Sequence, residues 1–143
     1  MRTTTTAVIL LLGLLGLFTA ACGGDNTTTP STPAGATTEV FSGTLAPQAS
    51  AFYSFTVTAA GQVSITLASL VAVQPGPAQN TVMGLGVGQP SGTDCAVTNS
   101  VTTGPGLTAQ LVNSLPAATY CARISDVGAL TGSVDFAVRI VHP

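Results

Sequence analysis

The chain has 143 residues, and only 6% are charged: 3 Lys plus Arg against 5 Asp plus Glu, a formal net charge of -2, where an ordinary soluble domain carries roughly 25% charged residues. With no Lys and an isoelectric point near 4.7, a basic nucleic-acid footprint is excluded, and so are coiled coils and long surface helices, which need Glu, Lys and Arg on their flanks. Mean hydropathy of +0.55 would suit a membrane protein, yet only one apolar run is long enough to consider, and the length leaves room for one modest domain.

That run stands at the N-terminus. Met1-Arg2 carries one positive charge, Ala7 to Phe18 is an uninterrupted stretch of apolar residues and Gly, and Thr19-Ala20-Ala21-Cys22 closes it with small residues. This is the layout of a secretory signal peptide, a helix-forming leader over residues 1–21. A spanning helix needs about 20 apolar residues; this run is shorter, contains Gly13 and Gly16 and stops at Gly23-Gly24-Asp25, which argues against an uncleaved anchor. The residues leading into Cys22 resemble the lipobox of bacterial lipoproteins, with Thr19 where Leu is usual. The resemblance implies cleavage just before Cys22 and acylation of its thiol, by palmitate for example. Thr19 and Ala21 also fit the small-x-small site of ordinary signal peptidase, which would release an unlipidated secreted protein.

Cysteine arithmetic bears on that choice. Three Cys in an exported chain leave one over once a pair forms. Acylation of Cys22 accounts for it, and Cys95 and Cys121 are then expected to form a disulfide in an oxidising compartment. Two separate buried thiols are the other reading. Metal ligation is not expected, because the remaining candidate ligand is His142 and no C-x-x-C spacing occurs. After Cys22 the chain turns to Gly, Asn, Thr, Ser and Pro. Such a stretch has almost nothing to bury against its conformational entropy, so residues 22–36 read as a lipidated Cys and a disordered tether.

From Thr37 the period becomes 2, and residues 37–143 read as one all-β domain. Glu39 to Thr44 is a first candidate strand. Tyr53, Phe55 and Val57 alternate with Ser54 and Thr56, and Val63, Ile65 and Leu67 with Ser64 and Thr66. The short Ala59-Ala60-Gly61-Gln62 link predicts that these two strands are antiparallel neighbours. Met83-Leu85-Val87 is interleaved with Gly84, Gly86 and Gly88, which suit close sheet packing, a bulge or backbone approach of a ligand. Leu107-Ala109-Leu111, Tyr120-Ala122-Ile124 and Val134-Phe136-Val138-Ile140 follow, with loops at Val73 to Asn80 and Gln89 to Asn99. About seven to eight short strands in one domain is the pattern of an antiparallel β-sandwich. In the final hairpin, pairing Ala122 with Phe136 would set Arg123 across from Asp135 as a structural ion pair, and Asp126-Val127-Gly128 fits the turn that follows Ile124.

Ser50 to Val57 and Ala60 to Leu67 resemble the opening strands of the bacterial pre-peptidase C-terminal domain, and Phe41-Ser42-Gly43-Thr44-Leu45 is similar to its first strand. Ala118 to Ile124 followed by Val134 to Ile140 resembles its closing hairpin. The resemblance covers about Glu39 to His142 and implies a jelly-roll-like sandwich, usually an accessory module on secreted hydrolases. No catalytic domain accompanies it here, and Asp94, Asp126 and Asp135 do not form the acidic calcium loops that some members use.

Catalysis needs a base or nucleophile held in geometry. His142 stands beside the terminal Pro143, the carboxylates are scattered, and no Gly-x-Ser-x-Gly, His-Glu-x-x-His or phosphate-cradling loop occurs. No catalytic residue, cofactor or metal is therefore expected. The sequence points to a non-catalytic lipoprotein of the bacterial cell envelope, in the outer membrane if the organism is Gram-negative. Its partners would be the membrane, through the lipid, and an envelope polymer, carbohydrate or protein. The alternative is a secreted accessory subunit of a separately encoded peptidase or other hydrolase.

Overall fold

Strands form where the sequence alternates. Phe55 and Val57, Val63 to Leu67, Met83 to Val87, and Val134 to Ile140 each turn their apolar members to a common interior, and the residues between take the other face. The computed structural model describes residues 35–73 and 78–143; the signal segment, Cys22 and nearly all of the tether lie outside the described residues. Eight strands result: β1 (Thr37–Leu45), β2 (Ser50–Val57), β3 (Gly61–Ala72), β4 (Met83–Ser91), β5 (Asp94–Thr103), β6 (Leu111–Leu115), β7 (Ala118–Asp126) and β8 (Val134–His142). They pair antiparallel in two four-stranded sheets, ordered β1-β8-β3-β6 and β2-β7-β4-β5. Every connection except β4–β5 crosses between the sheets, which is the jelly-roll form of the sandwich. The core between them is continuous, with Leu67, Met83, Leu85, Ile124 and Ile140 fully buried.

Two expected pairings are corrected. β2 and β3 are not neighbours: β2 pairs with β7, and β3 with β8 and β6. Nor do β7 and β8 form a hairpin, since β7 lies between β2 and β4 and β8 between β1 and β3. The cause is the same in both cases. Two strands that share a core alternate in phase whether they lie side by side or face each other across the sandwich, and a short link can cross between sheets as readily as turn within one. The Arg123–Asp135 pair therefore does not form. Asp135 instead accepts a hydrogen bond from Thr44 Oγ1 at 2.6 Å, across the β1–β8 ladder.

Two segment assignments also change. The expected loop from Gln89 to Asn99 is mostly the β4–β5 hairpin, turning at Gly92 with φ +59°. Leu107, expected in a strand, is 91% exposed, and the strand begins only at Leu111. Its neighbour Gln110 shows why. The register of β3 slips between Leu67 and Ser69, a β-bulge that breaks the ladder. Beside it the Gln110 carboxamide acts as a detached peptide unit, with Oε1 accepting from Leu67 N–H at 2.8 Å and Nε2 donating to Leu67 O at 3.4 Å. Gly106 N–H donates to the same carbonyl at 2.9 Å. Gln110→Ala would leave the Leu67 N–H without its acceptor, at an expected cost of about 1 to 3 kcal/mol. Urea unfolding of this variant beside wild type checks that value.

The turn after β7 forms as expected. Asp126 Oδ1 accepts from the N–H groups of Gly128, Ala129 and Leu130, and Oδ2 from Gln48 N–H at 2.8 Å. Gln48 first, then Ala129, Leu130 and Gly128, hold the carboxyl below its ordinary value. A carboxylate depressed in the folded state stabilises it above the unfolded pKa, and that contribution is lost as pH falls through the folded pKa. The melting-temperature gap between wild type and Asp126→Asn is therefore expected to be largest near neutrality. It should close as pH drops below about 4, which thermal melts at stepped pH would read.

Candidate functional site

The outward face of the β2-β7-β4-β5 sheet is where the chain departs most from a plain sandwich. Alternation buries Met83, Leu85 and Val87 of β4, so Gly84, Gly86 and Gly88 all fall on the outer face, where Ser125 Oγ, the Val97 side chain and the Ala96 backbone close in over them. Strand register sets the walls. Gly84 lies between Ser125 of β7 and Thr102 of β5, and Gly86 between Arg123 and Ser100. The result is a trough of about 300 Å³ lined by these residues together with Val97, Val101 and Val127.

Beyond Gly86 the same face is bridged covalently. β5 slips register opposite Val87 and Gly88, and its first residues cross over Gly88 closely enough that a Cβ there would lie 1.9 Å from the Ala96 carbonyl oxygen. The crossing brings Cys95 to Cys121 of β7, and the expected disulfide forms, with the Cα atoms 5.9 Å apart. Both half-cystines are buried. Of the roles their spacing suggested, close sheet packing and a bulge are found, both at Gly88.

Arg123 is the cation of this face. Its side chain is 32% exposed, its Nη1 lies 3.9 Å from Asp94 Oδ1, and its Nη2 donates to Ser50 Oγ at 3.3 Å. The Asp94 contact is longer than a hydrogen bond, and Asp94, itself 63% exposed, spends Oδ1 on the Cys95 N–H at 2.8 Å. Arg123 Nε is buried and has no hydrogen-bond partner among the described residues. The guanidinium is therefore placed at the trough with much of its donor capacity unspent. Phe52 of β2, its cross-strand neighbour on the other side, is half-buried.

A second polar group, unseen in the sequence, joins the two sheets at their β1 and β2 edges. His142, which its place beside Pro143 made a poor candidate for orientation by a third group, is 3% exposed, and its Nε2 lies 2.9 Å from Glu39 Oε1. Its Nδ1 lies 3.0 Å from the Pro143 oxygen, and its ring is 5.3 Å from that of Phe55. Tyr53 donates to the other Glu39 oxygen. That bond, with help from His142, holds the Glu39 carboxyl below its ordinary value and pushes the Tyr53 phenol up. The three residues tie β1, β8 and β2 together and leave both ring nitrogens of His142 occupied, an arrangement suited to fastening and not to proton transfer with a substrate. Among the described residues no group of three or more His, Cys, Asp or Glu gathers as a metal site would require.

No protein-family model matches the chain, and no curated protein matches it. Among solved structures it is similar to Aeromonas hydrophila PliG, a periplasmic lysozyme inhibitor of g-type lysozyme, with 15% identity and a TM-score of 0.48 over 76% of this chain and 90% of that one.

Proposed function

We propose that the chain is an exported, non-catalytic lipoprotein, held at a bacterial envelope membrane by acylated Cys22, which presents the trough face of its jelly roll as a binding surface. The Cys95–Cys121 bridge carries this reading. Such a bridge belongs to an oxidising compartment, and it uses two of the three Cys, leaving Cys22 directly behind its run of small residues. The chain's one histidine is occupied in fastening the sheets, which supports binding over catalysis.

Expression of the full chain in a bacterial host tests the anchor. The wild type should sediment with membranes, and its precursor should accumulate when lipoprotein signal peptidase is inhibited by globomycin. The Cys22→Ser protein, exported by the general route, should be recovered soluble. A Cys22→Ser protein that is exported normally and remains membrane-bound would refute the lipid tether.

A further inference from the structure

We propose that the Arg123 trough is a binding site for a sugar acid, a ring carrying one carboxylate among hydroxyl groups. The proposal rests on reading this chain as a binding module and names the ligand of that same face.

Three observations converge on it. The first is the guanidinium, 32% exposed: Nη1 reaches only a 3.9 Å contact to Asp94 and Nη2 makes one 3.3 Å bond to Ser50, so both terminal nitrogens keep donors to spare. A planar fork with spare donors at the edge of a depression is matched by a carboxylate, which takes two parallel N–H bonds. The second is charge. Arg123 is the one cation lining the trough, and the chain as a whole is at -2, so a monoanion is suited and a phosphate dianion is not. The third is the hydroxyl pattern. Ser125 and Thr102 flank Gly84, and Ser100 faces Arg123 across Gly86; each hydroxyl both donates and accepts, as sugar hydroxyls require. The trough, about 300 Å³, is of the size that a small polar ring fills. A Cβ on Gly86 would stand 2.8 Å from Val97 Cγ1, so the glycine seats the Val97 side chain, which forms an apolar wall of the trough.

Asp94 is the internal competitor for Arg123, and this sharpens the test. Amide chemical shifts of the purified full-length exported protein would be followed during titration with D-glucuronate, D-glucose and acetate. Glucuronate should shift residues of the trough and bind at least about tenfold more tightly than glucose, which lacks the charged acceptor, or acetate, which lacks the hydroxyls. Arg123→Gln should abolish that preference, and Arg123→Lys should restore only part of it. Asp94→Asn keeps an acceptor for Cys95 N–H while removing the competing charge, and should tighten glucuronate binding severalfold; this variant decides the matter if Arg123→Gln fails to fold. Equal binding of glucuronate and glucose, acetate binding as well as glucuronate, or no shift in the trough with any of them would overturn the proposal. The titration reads purified protein whatever its anchor, so its failure would leave the membrane tether standing, and loss of the tether would leave the trough standing.

Discussion

Replacing Cys95 and Cys121 together by Ala is expected to lower the stability of the domain by about 3 to 4 kcal/mol, the value loop-closure entropy assigns to a bridge of this span. Against a total of roughly 5 to 15 kcal/mol for a typical domain, that is a large fraction. The structure adds a local reason. β5 is an edge strand paired only with β4, and few of its residues are buried, so packing does little to hold its first half over Gly88. Without the bridge, Asp94 to Val97 is expected to lift, carrying Asp94 away from Arg123 and opening one end of the trough. Urea unfolding should show a lower midpoint with little change in slope, and wild type treated with reductant should reproduce it. A loss under about 1 kcal/mol would mean that the crossing is held by something other than the bridge.

The second large effect is expected at Gly88. An added Cβ would meet the Ala96 carbonyl oxygen at 1.9 Å, its carbon at 2.6 Å and Val97 Cα at 2.7 Å, all of them backbone atoms. Backbone yields less than a side-chain tip, so Gly88→Ala should cost at least the upper end of the usual overpacking range, about 3 kcal/mol. It should also hinder closure of the nearby bridge, which thiol alkylation under non-reducing conditions would reveal. Gly43→Ala is the control. Its Cβ would lie 3.4 Å from the Phe136 ring edge, a side chain able to adjust, and the expected cost is under about 1 kcal/mol. Similar losses at the two positions would refute the claim that β5 crosses tightly over Gly88.

The strand that carries Gly88 shows what could be read from the amino-acid order. Alternation revealed which side of each strand is buried, because the pleat imposes a period of 2 on any half-buried strand. Met83, Leu85 and Val87 are inside and their glycines outside, as the pattern required. Adjacency was not legible. Phe55 and Ile65 share one core from opposite sheets, and nothing in their spacing separates that arrangement from a hairpin. β5 left no periodic signal, since an edge strand with a bulge and a crossing buries only Cys95. Arg123 was legible as a residue needing a partner, but its partner was drawn from the wrong hairpin. Glu39, Tyr53 and His142 meet only because the jelly-roll winding brings β1, β2 and β8 together, which no local pattern records.

Low charge takes a different meaning in this light. The trough face uses Ser, Thr and Gly where a soluble protein would ordinarily place Lys and Glu, and its one guanidinium stands in a mainly neutral setting. Such a surface does not steer ligands from a distance. It favours short-range hydrogen bonding at a defined spot, as the proposed sugar-acid site requires.

The most direct measurement on the whole account is the intact mass of the mature protein, taken with and without reductant and alkylation. The expected result is a chain beginning at Cys22 and carrying acyl mass, with no alkylation before reduction and two alkylated thiols, Cys95 and Cys121, after it. An unacylated chain beginning elsewhere, or two thiols free before reduction, would contradict it.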